Sequence, residues 1–249
     1  MYVTTRALVL RSVDYKESSR MLTLLTESDG KISASAKGVR RKNSRLAAAA
    51  QPYAWAELTL SGSAGRWTVT EANALELFSG LAEELERLAL AAYLAELLET
   101  VCREGLPEPE LLRLGLNSLY ALSRGQKAPA LIKAAFELRL ACLSGYAPQM
   151  ERCPVCGKEE PEEPVFALDG GGLACRGCLS EDVPAARLCR DSLAAERYIE
   201  GAEDKRLFSF QLTGDPLRRL AAANERYLRG MLEREPRTLG YYKQIGNLK

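Results

Sequence analysis

The stretch Lys31-Ile32-Ser33-Ala34-Ser35-Ala36 shows most clearly how the first third of the chain folds, because apolar and polar residues alternate in it. A period of two predicts a β-strand with one buried face. Runs of strand-like character surround it: Val3 to Val13, Met21 to Leu25, Tyr53 to Leu60 and Trp67 to Phe78. Five short strands in about 80 residues predict a small closed barrel such as the OB-fold. Periodicity leaves an SH3-like barrel open as an alternative.

The pattern changes to helical spacing at Ser79-Gly80. Leucine and alanine then recur at helical intervals, which predicts three helices, over residues 81–103, 110–123 and 130–143. Helix is expected to resume with Pro184 in its first turn, and an amphipathic helix follows Asp215. We therefore predict an α+β chain of several parts: an OB-fold nucleic-acid-binding domain over residues 1–79 and an all-helical domain over residues 80–249, with an inserted segment at 150–183.

The composition of the 249-residue chain excludes many enzyme classes. Hydrophobic residues make up 47% of the chain, which is typical of a globular protein. Histidine is absent, so Ser-His-Asp and Cys-His nucleophiles and His-ligated zinc hydrolases are excluded. There is no G-x-x-x-x-G-K-[ST] motif, and no carboxylate spacing marks a two-metal centre. No apolar run approaches the roughly 18 residues of a membrane span, and no secretory signal is visible. We expect a cytoplasmic, non-enzymatic protein that makes no contact with a membrane.

The sharpest chemical motif is a pair of Cys-x-x-Cys knuckles, Cys153 with Cys156 and Cys175 with Cys178, separated by 18 residues. Two sulfurs three residues apart on a tight turn can face one ion, and the second knuckle completes a tetrahedron at Zn–S distances of about 2.3 Å. Residues 150–183 otherwise hold eight acidic and three basic side chains, so a metal is the natural source of their stability. We predict one structural zinc ion per chain.

A cationic segment follows the third predicted strand. Residues 37–45 contain no acid and five cations: Lys37, Arg40, Arg41, Lys42 and Arg45. Lys16 and Arg20, near the preceding turn, can extend the patch. Clustered positive charge neutralises phosphates and binds without regard to base sequence, with an affinity that falls steeply with salt. The segment predicts contact with the phosphate backbone of a nucleic acid, and a solvated surface loop is the alternative interpretation.

A weaker signal lies in the last long helix. Four arginines have spacings that bring them near one face: Arg218, Arg219, Arg226 and Arg229. An ordinary charged face explains them equally well. The functional alternative is contact with an acidic peptide or with more of the nucleic acid.

Several stretches in order resemble the RecO family of bacterial recombination mediators. They are Asp14-Tyr15-Lys16-Glu17, Leu22-Thr23-Leu24, Gly30, Ala36-Lys37-Gly38-Val39-Arg40-Arg41, Ala91-Ala92-Tyr93-Leu94-Ala95-Glu96-Leu97, Phe136-Glu137-Leu138-Arg139-Leu140 and Gly145-Tyr146-Ala147-Pro148. The last leads into the cysteine knuckles, with Phe166 and Gly170-Gly171 ahead of the second knuckle. Each stretch is weak alone, and their ordered succession is specific.

The resemblance implies an OB-fold, a helical domain and, where the cysteines are kept, a zinc site. It also implies a protein associated with the nucleoid that acts in DNA repair and homologous recombination. Such a protein binds single- and double-stranded DNA, anneals complementary strands and, with RecR, helps load RecA onto DNA coated by single-strand-binding protein. The family's basic loop corresponds to Lys37, Arg40, Arg41, Lys42 and Arg45.

Two other functions remain as alternatives. A barrel with a zinc knuckle also suits an RNA-binding module of translation or transcription. The Cys-x-x-Cys pairs would suit a thiol–disulfide oxidoreductase, although two matched pairs outside a βαβ context disfavour it.

Overall fold

A five-stranded barrel forms the beginning of the chain in this computed structural model, which describes residues 2–63 and 65–246. Its strands are β1 (Tyr2–Tyr15), β2 (Ser19–Thr26), β3 (Gly30–Ala36), β4 (Trp55–Ser63) and β5 (Arg66–Glu76). They close in the order β1-β2-β3-β5-β4. Closure depends on a short parallel contact between β3 and β5, and the other pairings are antiparallel. The predicted five-stranded OB-fold barrel is confirmed. Met1 and residues 247–249, at the ends of the two predicted domains, lie outside the described residues.

β1 is the longest of the five strands and pairs with two neighbours in the barrel. Its first half pairs with β4 and its second half with β2, and the register shifts between Val9 and Arg11. Such an irregularity bends a strand and helps a small sheet to close. Val9 lies in the barrel core, whereas the neighbouring Leu8 is buried towards Gly115 of the helical region. Burial on both faces explains why the middle of this strand, residues 7–10, is an uninterrupted apolar run.

Three helices complete the first compact unit: α1 (Leu85–Val101), α2 (Pro109–Arg124) and, from the far end of the chain, α6 (Arg237–Gly246). A 3-10 turn over Ser79–Glu83 precedes α1, so this helix begins four residues later than predicted. α6 packs on α1, and the Glu96 carboxylate of α1 accepts hydrogen bonds from the backbone N–H groups of Arg237 and Thr238 at 3.0 and 2.9 Å. Those donors are the unsatisfied ones at a helix N-terminus.

The second compact unit, Gly125–Glu235, contains α3 (Pro129–Leu143), α4 (Arg190–Gly201) and α5 (Gly214–Leu232). A three-stranded antiparallel sheet lies between α3 and α4 in the sequence: β6 (Pro164–Ala167), β7 (Gly172–Cys175) and β8 (Ala185–Arg187), in the order β7-β6-β8. Phe166 of β6 is fully buried with Leu193 of α4 and Ala223 of α5. The expectation that helix resumes at Pro184 is wrong, because residues 185–187 pair with β6 instead.

The boundary between the two compact units lies after Arg124, whereas the sequence predicts a domain boundary after residue 79. The first unit contains the barrel with α1, α2 and α6, whereas the character of the sequence changes directly after the barrel. The domain boundary after residue 79 therefore stays a prediction. None of the helices in residues 2–63 and 65–246 is long and apolar enough to cross a lipid bilayer.

Candidate metal centre and nucleic-acid interface

The four cysteines of the two knuckles meet at one point. The Sγ atoms of Cys153, Cys156, Cys175 and Cys178 all lie within 4.8 Å of one another, and those of Cys156 and Cys175 are 3.4 Å apart. Tetrahedral ligation at a Zn–S distance of about 2.3 Å separates neighbouring sulfurs by roughly 3.8 Å. The sulfurs therefore have the number and spacing that hold one metal ion.

Local structure explains how each pair reaches this point. In the first knuckle, the N–H of Gly157 donates to the carbonyl of Cys153 at 2.9 Å, and the N–H of Cys153 donates to the carbonyl of Lys158 at 2.8 Å. Gly157 has φ +74°, a left-handed conformation that favours glycine. In the second knuckle, Cys175 ends β7 and Cys178 closes a 3-10 turn. Both pairs are thus set on tight turns.

The electrostatics of the cluster favour a bound cation. Burial opposes ionisation of Cys153, but backbone hydrogen bonds at Cys156 and Cys175 outweigh it and lower the pKa of Cys153 to about 6. Burial and the contact with Cys156 raise the pKa of Cys175 to about 12. The unligated cluster thus favours one thiolate over several, whereas a dication stabilises the others.

The other three cysteines do not belong to this cluster. Burial, assisted by Glu108, raises the pKa of Cys102 to about 12, and burial raises that of Cys142 to about 11. Cys189 precedes α4, and its Sγ accepts a hydrogen bond from the Ser192 hydroxyl at 3.4 Å. A raised thiol pKa suppresses the thiolate, which is the reactive form.

The cationic segment lies in the connection between β3 and β4, which is built from consecutive turns. Val39 is buried in the barrel core, and the N–H of Arg40 donates to the carbonyl of Ser18 at 3.0 Å, so the connection is attached to the β1–β2 hairpin. Gly38 has φ +67°, and the Arg41 side chain passes 3.6 Å from where its Cβ would be. These attachments bring the predicted cations of the hairpin and of the connection to the same end of the barrel.

Two of the seven predicted DNA-binding cations, Arg20 and Arg40, form ion pairs with Asp14, an acid that was not predicted to belong to the site. Asp14 accepts from Arg20 Nε at 3.0 Å and lies 3.3 Å from Arg40 Nη1. The other five are exposed and form no ion pair with any residue of 2–63 or 65–246: Lys16, Lys37, Arg41, Lys42 and Arg45. Lys16 Nζ lies 5.3 Å from the centre of the exposed Tyr15 ring. Asp14 is the cross-strand partner of Arg20, a relation visible only once the hairpin register is known.

The four arginines of α5 bind acceptors in their own unit. Arg218 and Arg219 pair with Asp215, Arg219 also donates to the Leu188 carbonyl, and Arg226 donates to the Ala185 carbonyl. Arg229 pairs with Glu235 at 3.4 Å. Two of these contacts hold the β8 region, and contact with an acidic peptide or DNA stays a prediction.

Sequence relatives agree with this architecture. The family model described as Recombination protein O N terminal matches residues 1–78, and the one described as Recombination protein O C terminal matches residues 82–240. The DNA repair protein RecO of Acetivibrio thermocellus is 33% identical over 248 residues, 100% of this chain and 99% of that protein. That of Desulforudis audaxviator is 34% identical over 244 residues, 97% and 96% of the two chains. That of Rubrobacter xylanophilus is 38% identical over 181 residues, 72% and 73% of the two chains.

An OB-fold barrel with a cationic end, followed by a helical unit that carries a four-cysteine cluster, defines the structural class of the molecule. Both family models together span nearly the whole chain, and one relative aligns over its full length. The chain belongs to the RecO family of DNA repair proteins, and this membership supports a role in DNA repair.

Proposed function

We propose that the protein is a non-enzymatic mediator of recombinational DNA repair that binds the phosphates of single- and double-stranded DNA at the cationic end of its barrel. The observation that carries the proposal is the set of five exposed cations without an acidic partner among the described residues. Chain segments with this charge bind polyanions by releasing condensed counterions. Arg20 and Arg40 would join the contact when phosphate replaces Asp14.

Annealing of complementary strands needs no catalytic side chain. Two single strands repel each other through their phosphates, and a cationic surface that holds both lowers this repulsion while base pairing provides the driving force. Family membership extends the proposal to its partners: with RecR, the protein would help to load RecA onto DNA coated by single-strand-binding protein, at the nucleoid in the cytoplasm.

We further propose that the four-cysteine cluster holds one structural zinc ion. Its four thiolates are ligands that zinc prefers, and four protein ligands leave no position for a substrate. The ion would link the first knuckle to the β6–β7 hairpin and so stabilise a segment rich in acidic residues. Cys153 would be its most buried ligand.

A charge-reversal variant tests the DNA-binding proposal. Arg41, Lys42 and Arg45 are changed together to glutamate, and binding to labelled single strands, duplex and RNA is followed by fluorescence anisotropy at several salt concentrations. We expect the loss of three phosphate contacts to lower the magnitude of the salt slope on single strands by about 2. Initial annealing rates of complementary oligonucleotides should fall with it.

The matched control reverses three exposed cations of the second unit, Arg187, Arg190 and Lys205, and should leave binding nearly unchanged. Equal losses in both variants would mean that net charge, and not this surface, governs binding. Unchanged affinity of the barrel variant would refute the assigned interface. A marked preference for structured RNA over both forms of DNA would support the RNA-binding alternative.

A further inference from the structure

Arg197 of α4 binds the chain on both sides of the first cysteine knuckle. Its Nε donates to the carbonyl of Met150 at 2.8 Å, and its Nη2 donates to the carbonyls of Glu151 and Glu159 at 2.9 and 2.5 Å. Its Nη1 pairs with the Glu160 carboxylate at 2.6 Å. One guanidinium thus makes four bonds to two chain segments that are separated by the knuckle.

We propose that Arg197 is a positioning residue for the metal site, which holds Cys153 and Cys156 in the geometry for ligation and slows release of the ion. This inference rests on the proposed zinc site. It goes beyond that site because Arg197 is not a ligand and acts through the backbone of the ligand loop.

The geometry of the bonds explains the effect. Carbonyls 151 and 159 meet at the same nitrogen, so the guanidinium closes a loop that contains both cysteines of the first knuckle. Closing a loop in advance removes conformational entropy that metal binding would otherwise have to overcome. Charge-assisted bonds to carbonyl oxygens are stronger than neutral ones, and a planar fork makes several of them at once.

The second knuckle has a different support. Cys175 belongs to β7, whose residues pair with β6, and the N–H of Arg176 donates to the carbonyl of Glu163 at 3.1 Å. The first knuckle lies outside every strand and helix, and its internal backbone bonds span only residues 153–158. Within residues 2–63 and 65–246, Arg197 thus connects the chain around the first knuckle to a helix by side-chain hydrogen bonds, and its loss should open that cysteine pair before the other.

The test uses the full-length protein with zinc bound and compares Arg197→Ala and Arg197→Lys with Arg190→Ala. Arg190 is an exposed arginine on the same helix whose side chain forms no hydrogen bond or ion pair with a described residue, so it provides a matched control. Zinc release to the chromogenic chelator 4-(2-pyridylazo)resorcinol is followed by absorbance. Removal of groups that orient metal ligands costs about 10- to 100-fold in affinity, so Arg197→Ala should release zinc at least about tenfold faster than wild type. Arg197→Lys should be intermediate, because an ammonium cannot make the planar set of bonds.

Pulsed alkylation with mass spectrometry separates local opening from general destabilisation. In zinc-loaded Arg197→Ala, the alkylation of Cys153 and Cys156 should accelerate more, relative to wild type, than that of Cys175 and Cys178. Cys142, a partly buried thiol on α3, reports global unfolding and should stay at its wild-type rate.

The outcomes are distinguishable. Suppose that the wild type binds zinc, and that Arg197→Ala shows the same rates of zinc release and of thiol alkylation as Arg190→Ala. The positioning role is then refuted while the zinc site stands. Uniform acceleration at all five thiols in both Arg197 variants would also refute it, because the role would then be general stability. If wild type neither contains nor binds zinc, the proposed metal site itself is wrong.

Discussion

The Asp14 carboxylate lies between two arginines that come from different parts of the barrel, 3.0 Å from Arg20 Nε and 3.3 Å from Arg40 Nη1. Arg20 is on the neighbouring strand and Arg40 is on the β3–β4 connection. One carboxylate thus neutralises two cations at the proposed interface, and both ion pairs must break before these arginines can bind phosphate.

We therefore predict that Asp14→Asn binds DNA more tightly than wild type. Exposed ion pairs are worth about 0 to 1 kcal/mol, so the affinity for single strands at low salt should rise by up to about fivefold. The salt slope should steepen as Arg20 and Arg40 become available. Anisotropy titrations at several salt concentrations measure both quantities, and Asp29→Asn at another turn of the barrel is the control. Weaker binding by Asp14→Asn would mean that the acid orders the arginines rather than restrains them.

Removal of the metal should affect the second unit and spare the barrel. Cys153→Ser should lose the zinc ion and unfold at a lower temperature, because Cys153 is fully buried with Val165 and Ala174 beside the β6–β7 hairpin. Its affinity for DNA should change less than twofold, since the proposed cations lie in the first unit. Zinc content by atomic emission, thermal unfolding and anisotropy provide the three readouts. Cys142→Ser should keep its zinc, and normal stability of metal-free Cys153→Ser would show that the ion is dispensable.

A buried acid should make stability depend on pH. Glu196 is completely buried. Neither of its carboxylate oxygens makes a hydrogen bond of normal geometry to a described residue, and the buried Asn224 Oδ1 makes none either. Burial raises the pKa of Glu196 well above 4.5, although the Asn224 amide opposes this shift. Below pH 4.5 the Glu196 carboxyl is protonated in both the folded and the unfolded state. Above pH 4.5 it loses its proton in the unfolded state and keeps it in the folded state, up to the raised pKa.

Stability should therefore fall as pH rises from 4.5 towards the pKa of the folded state, by about 1.4 kcal/mol per pH unit from this group alone. Glu196→Gln carries a permanent donor and should remove this contribution. Urea unfolding of both proteins between pH 5 and pH 8 measures the difference in unfolding free energy. Parallel curves for the two proteins would show that Glu196 is ionised in the folded state.

A side chain at position 30 should cost more stability than one at a glycine with the same backbone conformation in open space. Its φ is +61°, and a Cβ there would lie 1.9 Å from the carbonyl oxygen of Leu106. Gly105 has a similar φ of +70° with open space around it, so Gly105→Ala measures the backbone cost alone, about 1 kcal/mol. We expect Gly30→Ala to lose roughly 2 kcal/mol more, because the backbone contact must separate. Similar losses in urea unfolding for both variants would show that the approach to Leu106 is easily relaxed.

Much of this architecture could be predicted from local patterns. The alternation through Ile32, Ala34 and Ala36 identified a half-buried strand because a strand shows its two faces in turn. The knuckle spacing identified the cluster at Cys153 and Cys175 because a tight turn places both sulfurs of a pair on one side.

The features that sequence reading missed depend on tertiary contacts. The strands β6, β7 and β8 have four, four and three residues, which is too short for any periodicity to be recognised. Arg197 reads as an ordinary arginine of an amphipathic helix, since its four acceptors lie 37 to 47 residues away in the chain. Asp14 was visible as a residue but its pairing with Arg40 required the connection to fold back on the hairpin.

The position of α6 has a consequence for the order of folding during synthesis. Glu96 leaves the ribosome about 140 residues before Arg237 and Thr238, the donors that its carboxylate holds in the finished protein. Translation at about 5 to 20 residues per second makes that interval roughly 7 to 30 seconds. Throughout this time the α1 surface that receives α6 is uncovered, while the whole of Gly125–Glu235 emerges and can fold. Of the two compact units, the one whose synthesis starts earlier is therefore the one that can complete its packing later.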